Sequence, residues 1–580
     1  MTTESVATVE RSVRPTPGWL NRLPNPIVIG LTLLLLALIV PPVIYLIQVS
    51  FYTTRLDGSL GDLTIRHYAG IFSNPRFTNN LMNTSIYAFG SAVLAIVLGA
   101  AQAWIVERTD TPLRQFTFLI AILSLSMPQV LYTIAWLLIL GKSGPVNDLL
   151  RAWMGGSDAV FSVYSMWGMI LIEGLTWAPL SFLLLSSVFR SVDASFEEAA
   201  MMSGASVGQT LWRITLPLAT PAIAALILLI VIRCFEAFEI PALVGSPGRV
   251  RVLTTDIYDA VHKTIPANYG QAGAFSVILF VIVICMLQFY NRLSRQAERF
   301  QTITGKGYRP RVLKLGRLRW LTAGVLGLFF LVLIVAPVGI VLLASLQSFY
   351  EKVSYAAFAN ATLENYRQVF HSPSFRDSIG NTLILGSVTA TAVCSLTAVF
   401  AWMVVRRYRG AWVLDQLATA PLVFPALVLG LAFMQIYLSL PFAFYGTLAS
   451  VILASMVRYL PYGMRYSYAG VLQIHKEIEE AAAVAGASRL VTFRRIVLPL
   501  LGPALLTCWL FVFLLSVRAV SMAILLVGPQ SQIVAVSLFD LWSNGQTAEL
   551  AAMGFTWMMF MTIVSTIFYV AARRFGLAVH

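Results

Sequence analysis

Charge is scarce in this 580-residue chain: Asp, Glu, Lys and Arg make up 11% of it, against 58% hydrophobic residues. So few polar side chains cannot cover a soluble globule of that length, which excludes a water-soluble enzyme or binding domain and leaves an integral membrane protein. Cysteine is sparse as well. Cys234, Cys285, Cys394 and Cys508 all sit inside apolar runs without close spacing, so neither a disulfide framework nor a zinc site is indicated, and each reads as a buried hydrophobe. Nucleotide-hydrolysing motifs are missing too. Gly141-Lys142-Ser143 looks like the tail of a phosphate-binding loop, but Trp136 stands where its leading glycine belongs. No constellation of the hydrolase, metalloprotease or redox kind appears, and neither a bound cofactor nor a metal is expected for this chain.

What the chain has in abundance is apolar runs of about 20 residues, the length a helix needs to cross a hydrocarbon core. Twelve are read, at 27–49, 84–106, 116–140, 164–188, 219–243, 272–290, 320–345, 382–405, 413–439, 446–470, 502–526 and 554–572. The expected fold class is therefore all-α integral membrane. The first run follows a polar leader (1–26) that bears Arg11, Arg14 and Arg22 and lacks a small-residue cleavage site, so it reads as an uncleaved anchor. The net charge of +14 follows membrane topology rather than a nucleic-acid surface. Arg406, Arg407 and Arg409 share one short connection, Arg573 and Arg574 follow the last run, and nine Lys/Arg lie between Arg292 and Arg319. Basic loops face the cytoplasm, which places both termini there; the opposite loops carry basic residues too, spread over far more length.

The chain is also duplicated. Glu197 to Pro221 (EEAAMMSGASVGQTLWRITLPLATP) recurs 282 residues later as Glu479 to Pro503 (EEAAAVAGASRLVTFRRIVLPLLGP), with 14 of 25 positions identical. At a shift of 298, Tyr68, Phe72, Pro75, Phe77, Asn83, Thr84 and Trp104 land on Tyr366, Phe370, Pro373, Phe375, Asn381, Thr382 and Trp402. The difference of 16 residues places an insertion in the first half, at the loop from Gly141 to Phe161. Pro179 and Pro461 align inside the fourth run of each half, where a proline kinks a helix. Six runs per half keep both halves in the same orientation, related by an axis along the membrane normal, and exclude an inverted repeat. The expected organisation is a first six-helix module (27–290), a basic cytoplasmic linker (291–319) and a second module (320–580).

Each repeated segment reads as a helical hairpin at the membrane face. In the first copy, Ser195 with Glu198 has capping-box spacing, Gly204 supplies a left-handed residue that ends the helix, and Ser206 with Gln209 starts a second helix that Pro217 is expected to stop. The second copy has Val491 at the place of that glutamine, so its cap is weaker. The motif Glu-Ala-Ala, three residues, Gly, nine residues, Ile-x-Leu-Pro resembles the signature of binding-protein-dependent ABC importer permeases. Both copies carry it in full: Glu198, Ala199, Ala200, Gly204, Ile214, Leu216 and Pro217, then Glu480, Ala481, Ala482, Gly486, Ile496, Leu498 and Pro499. The overall plan is similar to fused double-module permeases of the ferric-iron type. The resemblance implies two tandem type I permease modules whose hairpins dock on a cytoplasmic ATPase, a homodimer that uses ATP and magnesium. It also implies an extracytoplasmic solute-binding protein, for which the loops Thr53–Asn80 and Glu351–Asp377 are candidate surfaces, and an inner-membrane location. Related permeases carry polyamines, thiamine, sulfate or phosphonates, so the resemblance alone does not name the cargo.

Ionisable groups at membrane depth are costly and mark functional sites. Glu173, Arg233, Glu236, Glu239, Arg458 and Arg518 are the candidates for a translocation pathway, and Arg465 is expected to snorkel to the inner surface. Glu236 aligns with Arg518 at the 282 shift, so the two are expected to face each other across a pseudo-two-fold pore, as an ion pair or free for a solute. His67, His262 and His371 lie in outward loops without partners at ligand spacing and read as surface histidines. A secondary transporter driven by an ion gradient would also need two related halves and buried charges. It would have no use for twin hairpins.

Overall fold

The computed structural model describes residues 26–54, 60–155, 160–191, 194–298 and 313–574. The leader to Asn25 and residues 299–312 of the basic linker lie outside them, as do the side chains of Ser195 and Glu198. The described residues form helices and their connections, apart from a two-stranded ribbon pairing Tyr52–Thr54 with Leu60–Leu63. Among the described residues nine helices are long and apolar enough to span a membrane, and two further candidates are bent pairs. The first half contributes α1 (Pro26–Phe51), α2 (Pro75–Arg108), the bent pair α3 (Arg114–Ser126) and α4 (Gln129–Leu140), α5 (Pro145–Met154), α6 (Met166–Ser191), α7 (Ala194–Met202), α8 (Gly208–Glu236), α9 (Leu253–His262) and α10 (Tyr269–Glu298). The second half repeats the plan with α11 (Leu318–Ser345), α12 (Pro373–Val405), the bent pair α13 (Ala411–Val423) and α14 (Ala426–Ser439), α15 (Leu448–Leu472), α16 (Lys476–Val484), α17 (Arg489–Val517), α18 (Val534–Ser543) and α19 (Thr547–Arg574). The sequence runs at 116–140 and 413–439 were expected as single spans. Each is broken before a proline, at Pro128 and Pro425, with bends of 102° and 106°. A proline ring biases the preceding residue away from the helical region, so the chain turns there.

The repeated residues make repeated contacts. Pro75 and Pro373 each occupy the first turn of a long helix, where the missing N–H costs nothing. The Tyr68 hydroxyl donates to Ser50 Oγ at 2.8 Å and Tyr366 meets Ser345 at 2.6 Å. Thr84 accepts from the Leu253 N–H and Thr382 from the Val534 N–H, fixing the start of α9 and α18 against α2 and α12. Two other departures from expectation are local. The inserted Gly141–Phe161 loop is organised by α5 and by buried Asn147, which donates to the Leu140, Gly141 and Phe161 carbonyls. Of the cysteines, Cys285 is exposed on α10, whereas Cys394 and Cys508 meet in the core at 3.2 Å.

The halves are interlocked. The first span of each packs on the other half, α1 against α13 and α14, and α11 against α4. Where α2 crosses α6 no side chain fits between them. A Cβ added at Gly99 would come within 2.5 Å of Ser181 Cβ and 2.7 Å of the Phe182 nitrogen. At the equivalent crossing in the second half the glycine has changed sides, with Gly463 on α15 approaching Val393 and Thr397 on α12. Gly99→Leu should therefore cost about 1–3 kcal/mol through overpacking. Thermal unfolding in detergent should show a clear drop for Gly99→Leu and none for Gly30→Leu, a position with nothing within 4 Å of the added Cβ.

Candidate functional site

Both hairpins form as the sequence implies, with one consequential difference. Gly204 and Gly486 take left-handed backbone, with φ of +87° and +82°, and end the first helix of each hairpin. The Ser206 amide donates to Gln209 Oε1 at 2.9 Å and the Gln209 amide to Ser206 Oγ at 3.3 Å, a complete capping box; in the second copy only Ser488 accepts, from the Val491 amide at 3.4 Å. Ala199, Gly204, Ala481 and Gly486 are exposed and Ala482 is buried; Ala200, Ile214, Leu216, Ile496 and Leu498 are half-buried, and Pro217, Glu480 and Pro499 are exposed. The side chains that project furthest, Met202 at 90% exposure and Val484 at 91%, stand at equivalent positions beside the glycine turns. Their prominence follows from the turn itself and was not read from the sequence.

Pro217 does not stop the helix. In both copies a five-residue π turn, Leu211–Thr215 and Phe493–Val497, precedes the Leu-Pro pair and the helix continues through it. The wider turn bonds the Leu216 amide to the Leu211 carbonyl and the Leu498 amide to the Phe493 carbonyl, which makes room for a ring that would clash in a regular α turn. The second half of each hairpin is thereby the beginning of α8 or α17, one unbroken helix.

The far ends of these two helices meet at a central cavity lined by all six pathway candidates, Glu173, Arg233, Glu236, Glu239, Arg458 and Arg518. The expected pairing of Glu236 with Arg518 is not made. Glu236 Oε2 takes Arg458 at 3.2 Å and Arg233 at 3.4 Å, and Arg233 also reaches the Tyr462 hydroxyl at 2.9 Å. Arg518 instead donates to the Leu125 carbonyl at the break between α3 and α4, and Arg458 donates to the Phe424 carbonyl at the break between α13 and α14. The cause is the broken spans, which leave helix-end carbonyls inside the membrane protein without an amide partner. Glu239 accepts from Ser521 Oγ at 2.6 Å and from its amide at 3.2 Å. These two residues are equivalent at the 282 shift, so the pseudo-two-fold axis passes between them. Glu173 is buried against Tyr87, Trp177 and Gln129, which tie α2, α6 and the first residue of α4 to one carboxylate. Arg465 is exposed on α15, apart from this cavity.

At the other end of α2 from its hairpin, the first half forms a cleft lined by Asn74, Phe77, Asn80, Asp256, Asp259 and Lys263. The second half forms its counterpart from Ser372, Phe375, Ser378, Asp540, Glu549 and Met553. The Thr254 hydroxyl donates to the Ala237 carbonyl at 2.7 Å, so α9, which carries Asp256, is tied to the segment that follows α8 in the central cavity. His67, His262 and His371 each place a ring nitrogen on a backbone carbonyl, of Tyr52, Tyr258 and Arg367. Among the described residues no three His, Cys, Asp or Glu side chains converge as metal ligands.

The sequence pattern of binding-protein-dependent transport system inner membrane components matches residues 93–299 and again 392–577, each match containing one hairpin and one side of the cavity. The chain belongs to that family. It is a multi-pass inner-membrane permease of a binding-protein-dependent importer, a transport subunit built from two tandem modules. A ferric transport system permease protein of Actinobacillus pleuropneumoniae is 27% identical over 482 residues, 82% of this chain and 68% of the relative. An Fe(3+)-transport system permease protein of Haemophilus influenzae is 24% identical over 482 residues, 82% of this chain and 86% of the relative. A trehalose transport system permease protein of Mycobacterium tuberculosis is 28% identical over 260 residues, 43% of this chain and 88% of the relative.

Burial pushes the Asp256 carboxyl from 3.8 up to about 6, against the opposing pull of the Asn80 hydrogen bond at 2.7 Å and of the Arg251 charge. A carboxyl raised on folding supports the folded state while neutral; that support is full below about pH 4 and is lost as pH rises through about 6. Asp256→Asn, neutral throughout, should gain melting temperature over the native protein between these values and hold a constant advantage above about pH 7. A difference that stays flat across a pH series of thermal unfolding would contradict the assignment.

Proposed function

We propose that this permease imports ferric iron released by an extracytoplasmic binding protein, driven by a separate cytoplasmic ATPase homodimer that grips the two hairpins. The observation that carries the energy coupling is mechanical. Each hairpin is continuous with α8 or α17, and at 1.5 Å per residue the 29 residues of either helix make a lever about 44 Å long. Its near end follows the glycine turn beside which Met202 or Val484 projects as an exposed knob, and its far end is Glu236 or, just past the helix, Arg518.

ATP and magnesium are used by the partner, with no cofactor held by this chain. When ATP draws the two ATPase copies together, both knobs move inward, and Glu236 and Arg518 at the other ends separate from Arg458 and from the Leu125 carbonyl. The central contacts, including Glu239 with Ser521, are the closed gate, and their separation opens the cavity towards the binding protein. The twin clefts are the surfaces on which that protein docks, and the hairpins and both termini face the cytoplasm. Glu198 and Glu480 supply the charge at the edge of each docking knob. The iron reading is supported by the ferric transport permeases that match this chain over four-fifths of its length. The trehalose relative matches less than half of it.

The test is uptake of radiolabelled ferric iron into proteoliposomes holding the permease with its ATPase and binding protein. Gly204→Val with Gly486→Val should abolish both ATPase capture and uptake, because the left-handed turns cost about 1–2 kcal/mol each for a residue with a Cβ, although open space surrounds both positions. Glu236→Gln with Arg518→Gln should leave ATPase capture intact and remove uptake. Transport by the purified chain on an ion gradient alone would overturn the reading.

A further inference from the structure

Between Arg66 and Lys263, most Asp, Glu, Lys and Arg residues of the first half meet an uncharged or oppositely charged residue at the equivalent place in the second. Four keep their identity: Arg108 as Arg406, Glu197 as Glu479, Glu198 as Glu480 and Arg213 as Arg495. Glu480, Arg213 and Arg495 are exposed on the hairpins. The other two pairs are turned inward and meet. Arg108, at the end of α2, lies 3.5 Å from Glu197, with side-chain exposures of 1% and 10%. Arg406, at the end of α12, lies 2.7 Å from Glu479, each 12% exposed. A charge pair is thus retained in both halves at the junction between the second span and the base of the hairpin.

Both junctions also take in the π turn. Thr215, its last residue in the first half, donates to Glu197 Oε1 at 2.7 Å. In the second half Trp402 donates to Glu479 Oε2 at 2.9 Å while its ring lies 4.9 Å from Phe493, the first residue of the turn; Arg406 adds a bond to the Ile474 carbonyl at 2.9 Å. The π turn is where the helix is locally unwound, so an unclamped hairpin would swing there and dissipate a pull before it reached the cavity. The second span is the natural anchor, because α2 packs along both α6 and α8, and α12 along α15 and α17.

We infer that Arg108 with Glu197 and Arg406 with Glu479 are positioning residues that clamp each hairpin to the second span of its half, so that hairpin, second span and lever helix move as one body. The inference rests on the proposed docking of the hairpins to an ATPase. The clamp does not touch that partner. It decides how much of each ATP cycle reaches the gate.

Three quantities separate the possibilities in proteoliposomes assembled with the ATPase and the binding protein loaded with radiolabelled ferric iron: ATPase capture, hydrolysis rate, and iron imported per ATP. Arg108→Gln with Arg406→Gln should leave the first two within about twofold and lower the third by about tenfold or more, the size of an ordinary coupling energy between sites. Arg108→Lys with Arg406→Lys should restore most of it. Unchanged import per ATP overturns the proposal, as does loss of capture together with import, which would mean that the pairs merely fold the hairpin. Should the glutamine variant not fold, the charge exchange Arg108→Glu/Glu197→Arg with Arg406→Glu/Glu479→Arg keeps an ion pair at both junctions and should hold import per ATP within about threefold of the native value; capture and hydrolysis kept with import per ATP lost overturns it. Failure of the docking reading is distinct, since the native permease would then capture no ATPase.

Discussion

Inside a hydrocarbon layer a backbone carbonyl that loses its helical partner must find another within the protein, and this requirement organises the centre of the permease. Breaks before Pro128 and Pro425 free the carbonyls of Leu125 and Phe424, and the guanidinium groups of Arg518 and Arg458 satisfy them. Guanidinium suits the task because it remains charged and offers several donors at fixed angles. Once those cations stand in the core they need counter-charge. Glu236 answers Arg458 directly, and Glu239, bonded to Ser521 across the axis, stands in the same cavity. The charged cavity thus follows from two prolines as much as from any demand of a solute.

Helix continuity joins this cavity to the membrane face. A proline nineteen residues before Glu236 would ordinarily end or kink a helix, yet the π turn ahead of Pro217 carries the chain through, and the same device recurs ahead of Pro499. Under the proposed mechanism, continuity along α8 and α17 makes events at the hairpins and at the central cavity parts of one displacement. Close approach at Gly99 and Gly463 seats the neighbouring helices firmly enough to share it.

The sequence made much of this legible. Hydropathy gave the class, the repeated Glu-Ala-Ala segments gave the hairpins, and the glycine at each turn gave its backbone conformation. All six pathway candidates came from one rule, that charge within an apolar run is costly, and all six line one cavity. What failed was pairing and continuity. Alignment of Glu236 with Arg518 suggested a pair because equivalent residues face each other across an axis only when they lie beside it; Glu239 and Ser521 do, and Glu236 does not. The fate of Pro217 depended on a non-standard turn that no residue pattern announces. Glu197 and Glu479 were overlooked although they adjoin the motif, for their role appears only once the ends of α2 and α12 arrive beside them.

The exchange of first spans between halves has a further implication. Neither module presents a finished surface by itself, so a single-copy forerunner with this packing would have been complete only as a pair of identical chains. In such a pair the residue on the axis must oppose itself: two carboxylates in contact, or two hydroxyls. Two different halves in one polypeptide escape that restriction, and an acid opposite a serine gives the centre of the cavity a polarity that two identical chains could not have.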